Sequence, residues 1–188
     1  MGSAKQVAQQ NSGTTGAAAE AGKYLTFKLA NEEYGLEILR VREIIGLMDI
    51  TLVPRTPDFV RGVINLRGKI IPVVDIRTKF GMERVEDTEE TCIIVVDISH
   101  DNTSAQTGIL VDSVSEVLDI GHQDIEETPS FGTSVDTDFI LGMAKAKGSV
   151  KILLNIEKVL TSRDLAAIQK VQDACASEAL VAEQQLTA

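Results

Sequence analysis

Few residues in this chain have the types and spacing that chemistry needs. His100 and His122 lie in polar segments, and neither has a Cys or His at ligand spacing. They read as exposed turn histidines. Cys92 heads the apolar run CIIVVDI and reads as a small core residue rather than a nucleophile. Cys92 and Cys175 are far apart and lack CxxC spacing, which fits a reducing cytoplasm. No GxGxxG, GxxxxGK[ST] or GxSxG is present. Asp112, Glu116 and Asp119 in VDSVSEVLDI could pair for acid–base work. Their strand-like alternation reads more simply as a solvated face. The expectation is a protein that is not an enzyme and uses no metal or cofactor.

What remains suits the holding of protein partners. Arg67 and Lys69 flank Gly68 in a tight reversal. A turn-tip arginine is either merely solvated or an interface anchor whose planar fork pairs with carboxylates. Val41 and Ile45 lie in a segment too short to bury all its apolar residues, so they are core or contact.

The elements that must position these residues centre on FVRGVINLRGKIIPVVDIRTKF (59–80). It reads as two strands, a turn at Arg67-Gly68-Lys69, and a short helical turn capped by Asp75 and closed by Gly81. Pro72 places the second strand at an edge or at a bulge. The stretch recurs as FILGMAKAKGSVKILLNIEKVL (139–160), which keeps Phe59/Phe139, Gly62/Gly142, Gly68/Gly148 and Ile76/Ile156. Asp75 becomes Asn155, another N-cap type, and Arg67 becomes Lys147. A second match, 35–45 on 108–118, pairs Gly35/Gly108, Val41/Val114 and Glu43/Glu116. The chain therefore reads as a duplicated β module, with extra residues in the second copy between 119 and 138.

Around these copies, YLTFKL (24–29) and 34–38 read as strands, and 41–48 fits a helix face or a strand alternation equally well. Ile50 to Val53 reads as a strand ended by Pro54 and Pro57, and 92–98 and 106–112 as further strands. A helix is expected from about Ser162 to Ala176 or beyond, started by Thr161 with Asp164 in the manner of a capping box. The chain has 188 residues, a net charge of −10, 4% aromatic residues and no Trp. That charge opposes nucleic-acid binding, and the core must rest on Val, Ile and Leu. Residues 1–22 are polar, with no apolar centre for a signal peptide, and read as a disordered tail.

Residues 24–160 resemble the CheW family of bacterial chemotaxis coupling proteins. The resemblance rests on EEYGLEILRVREI (32–44), TPDFVRGVINLRGKIIPVVDIRTKFG (56–81) and GILVDSVSEVLDI (108–120). The middle motif follows the family pattern almost throughout, with Ile76 where Leu is common. It implies a mostly β fold of two SH3-like five-stranded β-barrels from an internal duplication, with a C-terminal α-helix. The divisions expected are a tail over 1–22, the double barrel over 23–162, and the helix with a frayed end over 163–188.

The resemblance also implies a non-catalytic adaptor. Its partners would be the cytoplasmic tip of chemoreceptors and the regulatory domain of the histidine kinase CheA. It would work in the cytoplasm, on membrane-bound receptor arrays, without membrane insertion and with weak or no homo-oligomer in isolation. Val41, Arg67 and Cys92 match positions linked to receptor contact, and Gly62 matches one linked to kinase contact. Glu43 matches a position that affects binding by an unassigned route. Cys92 stands where Val or Ile is usual. The competing readings are a coupling module of a non-flagellar pathway or for another protein ligand, the kinase's own regulatory barrel or a module fused to a receiver domain, and a ligand-binding barrel. The 27 residues after Thr161 leave no room for a receiver. Acidity and scarce aromatics disfavour the last.

Overall fold

The structure is a computed structural model that describes residues 19–100, 103–129 and 137–186; the side chains of His100, Thr103 and residues 176–186 lie outside that description. The tail expected to be disordered falls outside it up to residue 18. Residues 19–22 belong to the fold: the Ala19 N–H donates to the Leu141 carbonyl at 3.0 Å, and the Tyr24 hydroxyl donates to the Glu20 carbonyl at 2.7 Å.

The first half contains β1 (Gly22–Leu29), β2 (Glu32–Glu37), β3 (Val41–Gly46), β4 (Val60–Leu66), β5 (Lys69–Asp75) and the single turn α1 (Ile76–Lys79). The second half contains β6 (Cys92–His100), β7 (Thr103–Val111), β8 (Ser113–Ile120), β9 (Ile125–Glu126), β10 (Ile140–Ala146), β11 (Ser149–Leu154) and α2 (Ile156–Val159). The long helix α3 (Ser162–Leu186) ends the described chain.

The duplication appears in detail. Both hairpins turn on two residues with positive φ, Arg67 (53°) with Gly68 (84°) and Lys147 (52°) with Gly148 (79°). This is the primed turn that matches strand twist, and it extends positive φ to a non-glycine residue in each copy. Both β4 and β10 carry a bulge before their glycine, between Val60 and Gly62 and between Ile140 and Gly142. The Asp75 carboxylate accepts from the Thr78 N–H, and the Asn155 amide oxygen accepts from Glu157 and Lys158. These are the caps the sequence predicts.

The halves do not form separate units. One sheet runs β8-β1-β2-β11-β10-β9 and the other β3-β6-β7-β5-β4. Each half therefore gives its first hairpin to one sheet and its remaining strands to the other. The exchange is stitched by two parallel pairings, Val73 opposite Gly108 and Leu153 opposite Gly35. These partners are the repeat-related residues themselves. A Cβ on Gly35 would meet the Leu153 side chain at 2.8 Å, and one on Gly108 would meet the Ile93 side chain at 2.7 Å.

The expected five-stranded barrels are corrected here: the sheets have six and five strands, and neither closes. The reason lies at β4 and β10. The free edge of β4 bonds to Thr51 instead of β3, with the Thr51 N–H to the Val63 carbonyl at 2.8 Å and the reverse bond at 2.9 Å. The edge of β10 is taken in the same way by β9. The sheets curl without closing.

Curling yields three apolar clusters. The largest lies between the sheets and joins Phe27, Leu36, Ile94, Val96, Ile109, Leu154 and Ile168. Within the β3–β4 sheet, Ile64, Val73, Ile93, Val95 and Leu110 form a second. Tyr24, Ile120, Ala144 and Leu153 form a third within the other sheet. Successive residues of β6 serve different clusters, which explains why CIIVVDI is apolar on both faces. Phe27, Tyr34, Phe80 and Phe139 lie in series at 5.8, 5.8 and 5.2 Å between ring centres, the outer pairs stacked and the middle pair tilted, tying the halves through the shared core.

Other expectations change locally. The 41–48 ambiguity resolves as strand over 41–46, with Val41, Glu43 and Ile45 half-buried and Arg42, Ile44 and Gly46 outward. Residues 50–53 make only the Thr51 bridge. Strand β5 is interior rather than an edge; Pro72 fits because the β7 ladder begins one residue later, at Val73. The backbone of His100 is in β6, not in a turn. At the start of α3 the Thr161 N–H donates to the Asp164 carboxylate at 2.9 Å and the Asp164 N–H to the Thr161 hydroxyl at 3.4 Å, a capping box with Asp in the Glu position. The helix continues past Ala176 to Leu186.

Candidate functional site

The half-buried Glu43 faces the tip of the β4–β5 hairpin. Arg67, held there by its left-handed backbone, donates from both guanidinium nitrogens to the two Glu43 oxygens at 3.2 and 3.0 Å. The Asn65 side chain fixes the tip by accepting from the Gly68 N–H at 2.8 Å. Arg67 is 77% exposed and Glu43 only 26%, so the pair is anchored on the carboxylate side and open on the arginine side. The second half repeats it: Lys147 pairs with Glu116, the repeat counterpart of Glu43. Recurrence of positive charge at both tips thus follows from an acidic residue opposite each of them.

Val41 opens β3, half-buried against the shared core, opposite Val96. Gly62 is buried in β4 with φ at 142°, and a Cβ there would overlap the Thr51 carbonyl oxygen. Glycine is required by that close approach. Cys92 does not join the others. It pairs with Gly46, at the far end of β3 from Val41, and its Sγ–H donates to the Glu90 carbonyl at 3.1 Å. It shares a depression with Val114, the repeat counterpart of Val41.

Sequence reasoning named Val41 and Ile45 as the apolar residues left over on β3, but the outward ones are Ile44 and, just beyond, Leu47 and Met48, with Leu52 at 78% exposed. Leu39, before β3, is 91% exposed. The signal was the strand reading of 41–46, which sends Ile44 to the opposite face from Ile45.

The carboxylates nominated for acid–base work are engaged otherwise. Asp112 is not a solvated residue: it accepts from Arg77 Nε and Nη2, both at 2.6 Å, and from the Ala30 N–H at 2.7 Å. Burial works to raise its pKa, but the Arg77 and Ala30 hydrogen bonds outweigh that and hold it below the ordinary carboxylate value. Glu33 is lowered chiefly by Lys151. Such carboxylates are fixed anions, unsuited to proton transfer near neutral pH. Among the described residues no group of His, Cys, Asp or Glu could hold a metal ion, and no helix is long and apolar enough to cross a membrane.

Two interlocked sheets, fixed internal ion pairs and exposed apolar residues on and next to an edge strand fit a β-built protein-interaction module. Comparison with known proteins places it further. Residues 23–164 match the model of the CheW-like domain. Chemotaxis protein CheW of Klebsiella aerogenes is 39% identical over 149 residues, covering 79% of this chain and 87% of that protein. Its counterpart from Rhizobium meliloti is 34% identical over 140 residues, covering 74% and 88%. The crystal structure of the scaffolding protein TtCheW from Thermoanaerobacter tengcongensis superposes with a TM-score of 0.66 at 37% identity, covering 77% of this chain and 95% of that one. The chain belongs to the CheW family, and is a non-catalytic adaptor of chemotaxis signalling.

Proposed function

We propose that this chain couples the cytoplasmic tip of chemoreceptors to the regulatory domain of the kinase CheA, through the β3 face and the β4–β5 hairpin. Residues 23–162 act as one adaptor unit in the cytoplasm, at membrane-bound receptor arrays, and the isolated protein self-associates weakly or not at all. Val41 and Arg67 contact the receptor, Glu43 orients Arg67, and Gly62 supports the kinase contact by keeping Thr51 close to β4. Cys92, displaced to the other end of β3, contributes to receptor contact only from the side of Val114.

The observation that carries this reading is the Glu43–Arg67 pair. A carboxylate anchored on an edge strand presents an exposed guanidinium, while Ile44 on the opposite face of that strand and Leu39, Leu47, Met48 and Leu52 before and after it leave apolar surface exposed. That combination suits a helical partner with an apolar stripe and an acceptor at its margin. The experiment is a titration of wild type, Val41→Asp and Arg67→Glu against a receptor-tip fragment and, separately, against the kinase regulatory domain. Each variant should lose receptor affinity and keep kinase affinity. Loss of both together with a lowered Tm would make Val41 a core residue and refute its role.

A further inference from the structure

Every arginine of the chain except Arg55 and Arg163 pairs with a carboxylate. These two line the same groove, between the Val53–Pro57 loop and α3, and Lys170 lines it with them. None of the three forms a salt bridge or a side-chain hydrogen bond among the described residues, and all are exposed. The groove encloses about 450 Å³. Its floor is apolar, made by Pro54, Pro57, Ala167 and the buried Val171.

The walls are fixed. Helix α3 is set by Leu165, Ile168 and Val171 in the core, by Asp164 accepting from Lys79 Nζ at 2.6 Å, and by Gln172 donating to the Ile70 carbonyl at 2.8 Å. Arg163, Ala167 and Lys170 then fall on one stripe at helical spacing. Opposite them, Pro54 and Arg55 make the corner of a turn in which the Thr56 hydroxyl donates to the Val53 carbonyl at 3.0 Å. Arg55 has φ at 63°, a conformation glycine adopts without strain and arginine does not.

We propose that this groove is a docking site for an acidic segment of a partner protein, which places a small apolar side chain on the proline–alanine floor and carboxylates against Arg55, Arg163 and Lys170. Charge complementarity selects this occupant. In a chain of net charge −10, carboxylates outnumber cations, yet among the described residues these three have none and share one groove, whereas Lys28, Lys69 and Lys158, which also form no salt bridge there, do not line it. The overall negative charge repels an anionic membrane at long range, whereas a short acidic segment meets only the local field. The groove is lined by none of Val41, Glu43, Gly62, Arg67 and Cys92 and does not rest on the coupling role.

The test uses the full chain and two labelled helical peptides, one with alanines on one face and glutamates on the other, and a twin with lysines for the glutamates. Wild type should bind the glutamate peptide in preference to its twin, and added salt should weaken that binding. Arg163→Glu with Lys170→Glu should reduce affinity about ten-fold or more, with Tm unchanged because both positions are exposed. Arg55→Gly should also weaken binding while holding or raising Tm, since it relieves the backbone. The proposal is overturned by equal binding of both peptides, by no binding, or by an unaffected double variant. Binding to phosphatidylglycerol vesicles instead would make the groove a lipid site. Self-association of wild type that the double variant abolishes would make it a contact between copies.

Discussion

At the scale of single residues, Arg67 and Glu43 divide two roles that one substitution would confuse. Their bond is bidentate but largely open to water, and such pairs contribute about 0.2–1 kcal/mol to stability. Arg67→Glu should therefore leave Tm within a degree or two of wild type while weakening receptor association. The exchange Glu43→Arg with Arg67→Glu should restore the internal pair without restoring binding, because the outward charge is reversed. Full recovery of binding would make the pair a purely structural clasp. Gly62 behaves differently. Alanine there meets a backbone carbonyl and an unfavourable φ, so Gly62→Ala should cost about 1–3 kcal/mol and depress binding to the kinase regulatory domain more than to the receptor tip. At its repeat partner Gly142 a Cβ would sit 3.0 Å from the Glu126 carbonyl oxygen, and φ is not positive, so Gly142→Ala should lower Tm less. Thermal melts of the two variants side by side decide this.

At the scale of elements, two carboxylates fasten α1, one to the strands and one to α3. Asp112, between β7 and β8, holds Arg77 of α1 and the Ala30 N–H that follows β1. Asp164 caps α3 and takes Lys79 from α1. For Asp164, burial again works to raise the pKa, and Lys79 and Thr161 lower it by more. Both groups thus have folded-state values below their unfolded ones. A depressed carboxylate stabilises the fold above its unfolded pKa, near 4, and that contribution is lost as pH falls through the folded value. Acid unfolding should accordingly set in below about pH 4, and Asp112→Asn should flatten the pH dependence in that range. At neutral pH, Asp112→Asn should cost about 1–3 kcal/mol, since Arg77 keeps its burial and loses its anion. Asp164→Ala should cost about 1 kcal/mol through the lost cap. Urea titrations at pH 7 and pH 3.5 measure both effects.

For the whole molecule, the exchange of strands makes folding a joint property of the halves. Neither copy contains a complete sheet: β1 and β2 need β8 and β11, and β6 and β7 need β3 and β5. The connector Met82–Glu90 lacks regular structure, so it is the place to divide the chain. Fragments 19–86 and 87–188 should each give a disordered circular dichroism spectrum alone, and the strand signal should return on mixing. A folded fragment 19–86 would contradict the exchange, because a self-contained first copy would then be stable. Long-range parallel pairing also makes this a slow-folding topology compared with two sequential barrels.

Much of the short-range structure was legible in the order of residues. The caps at Asp75 and Asn155, the hairpin turns at Gly68 and Gly148, and the box at Thr161 and Asp164 are local hydrogen-bond and dihedral preferences, which need no distant partner. The duplication could be read because Gly35/Gly108 and Gly62/Gly142 recur as residue types, although what requires them is the close approach of distant groups such as Leu153, Ile93 and Thr51. The family motif over 56–81 carried the function with it. Which copy pairs with which was settled only by long-range packing. A run such as CIIVVDI states that both faces are buried but not by what, and β-pairing depends on edges brought together across many residues. Packing also set Thr51 and β9 on the edges of β4 and β10, leaving two curled open sheets instead of closed barrels. It brought Glu43 to Arg67 and separated Cys92 from both. It left Arg55, Arg163 and Lys170 without carboxylate partners among the described residues, around one groove, because pairing of surface charge depends on the distances that the folded chain imposes.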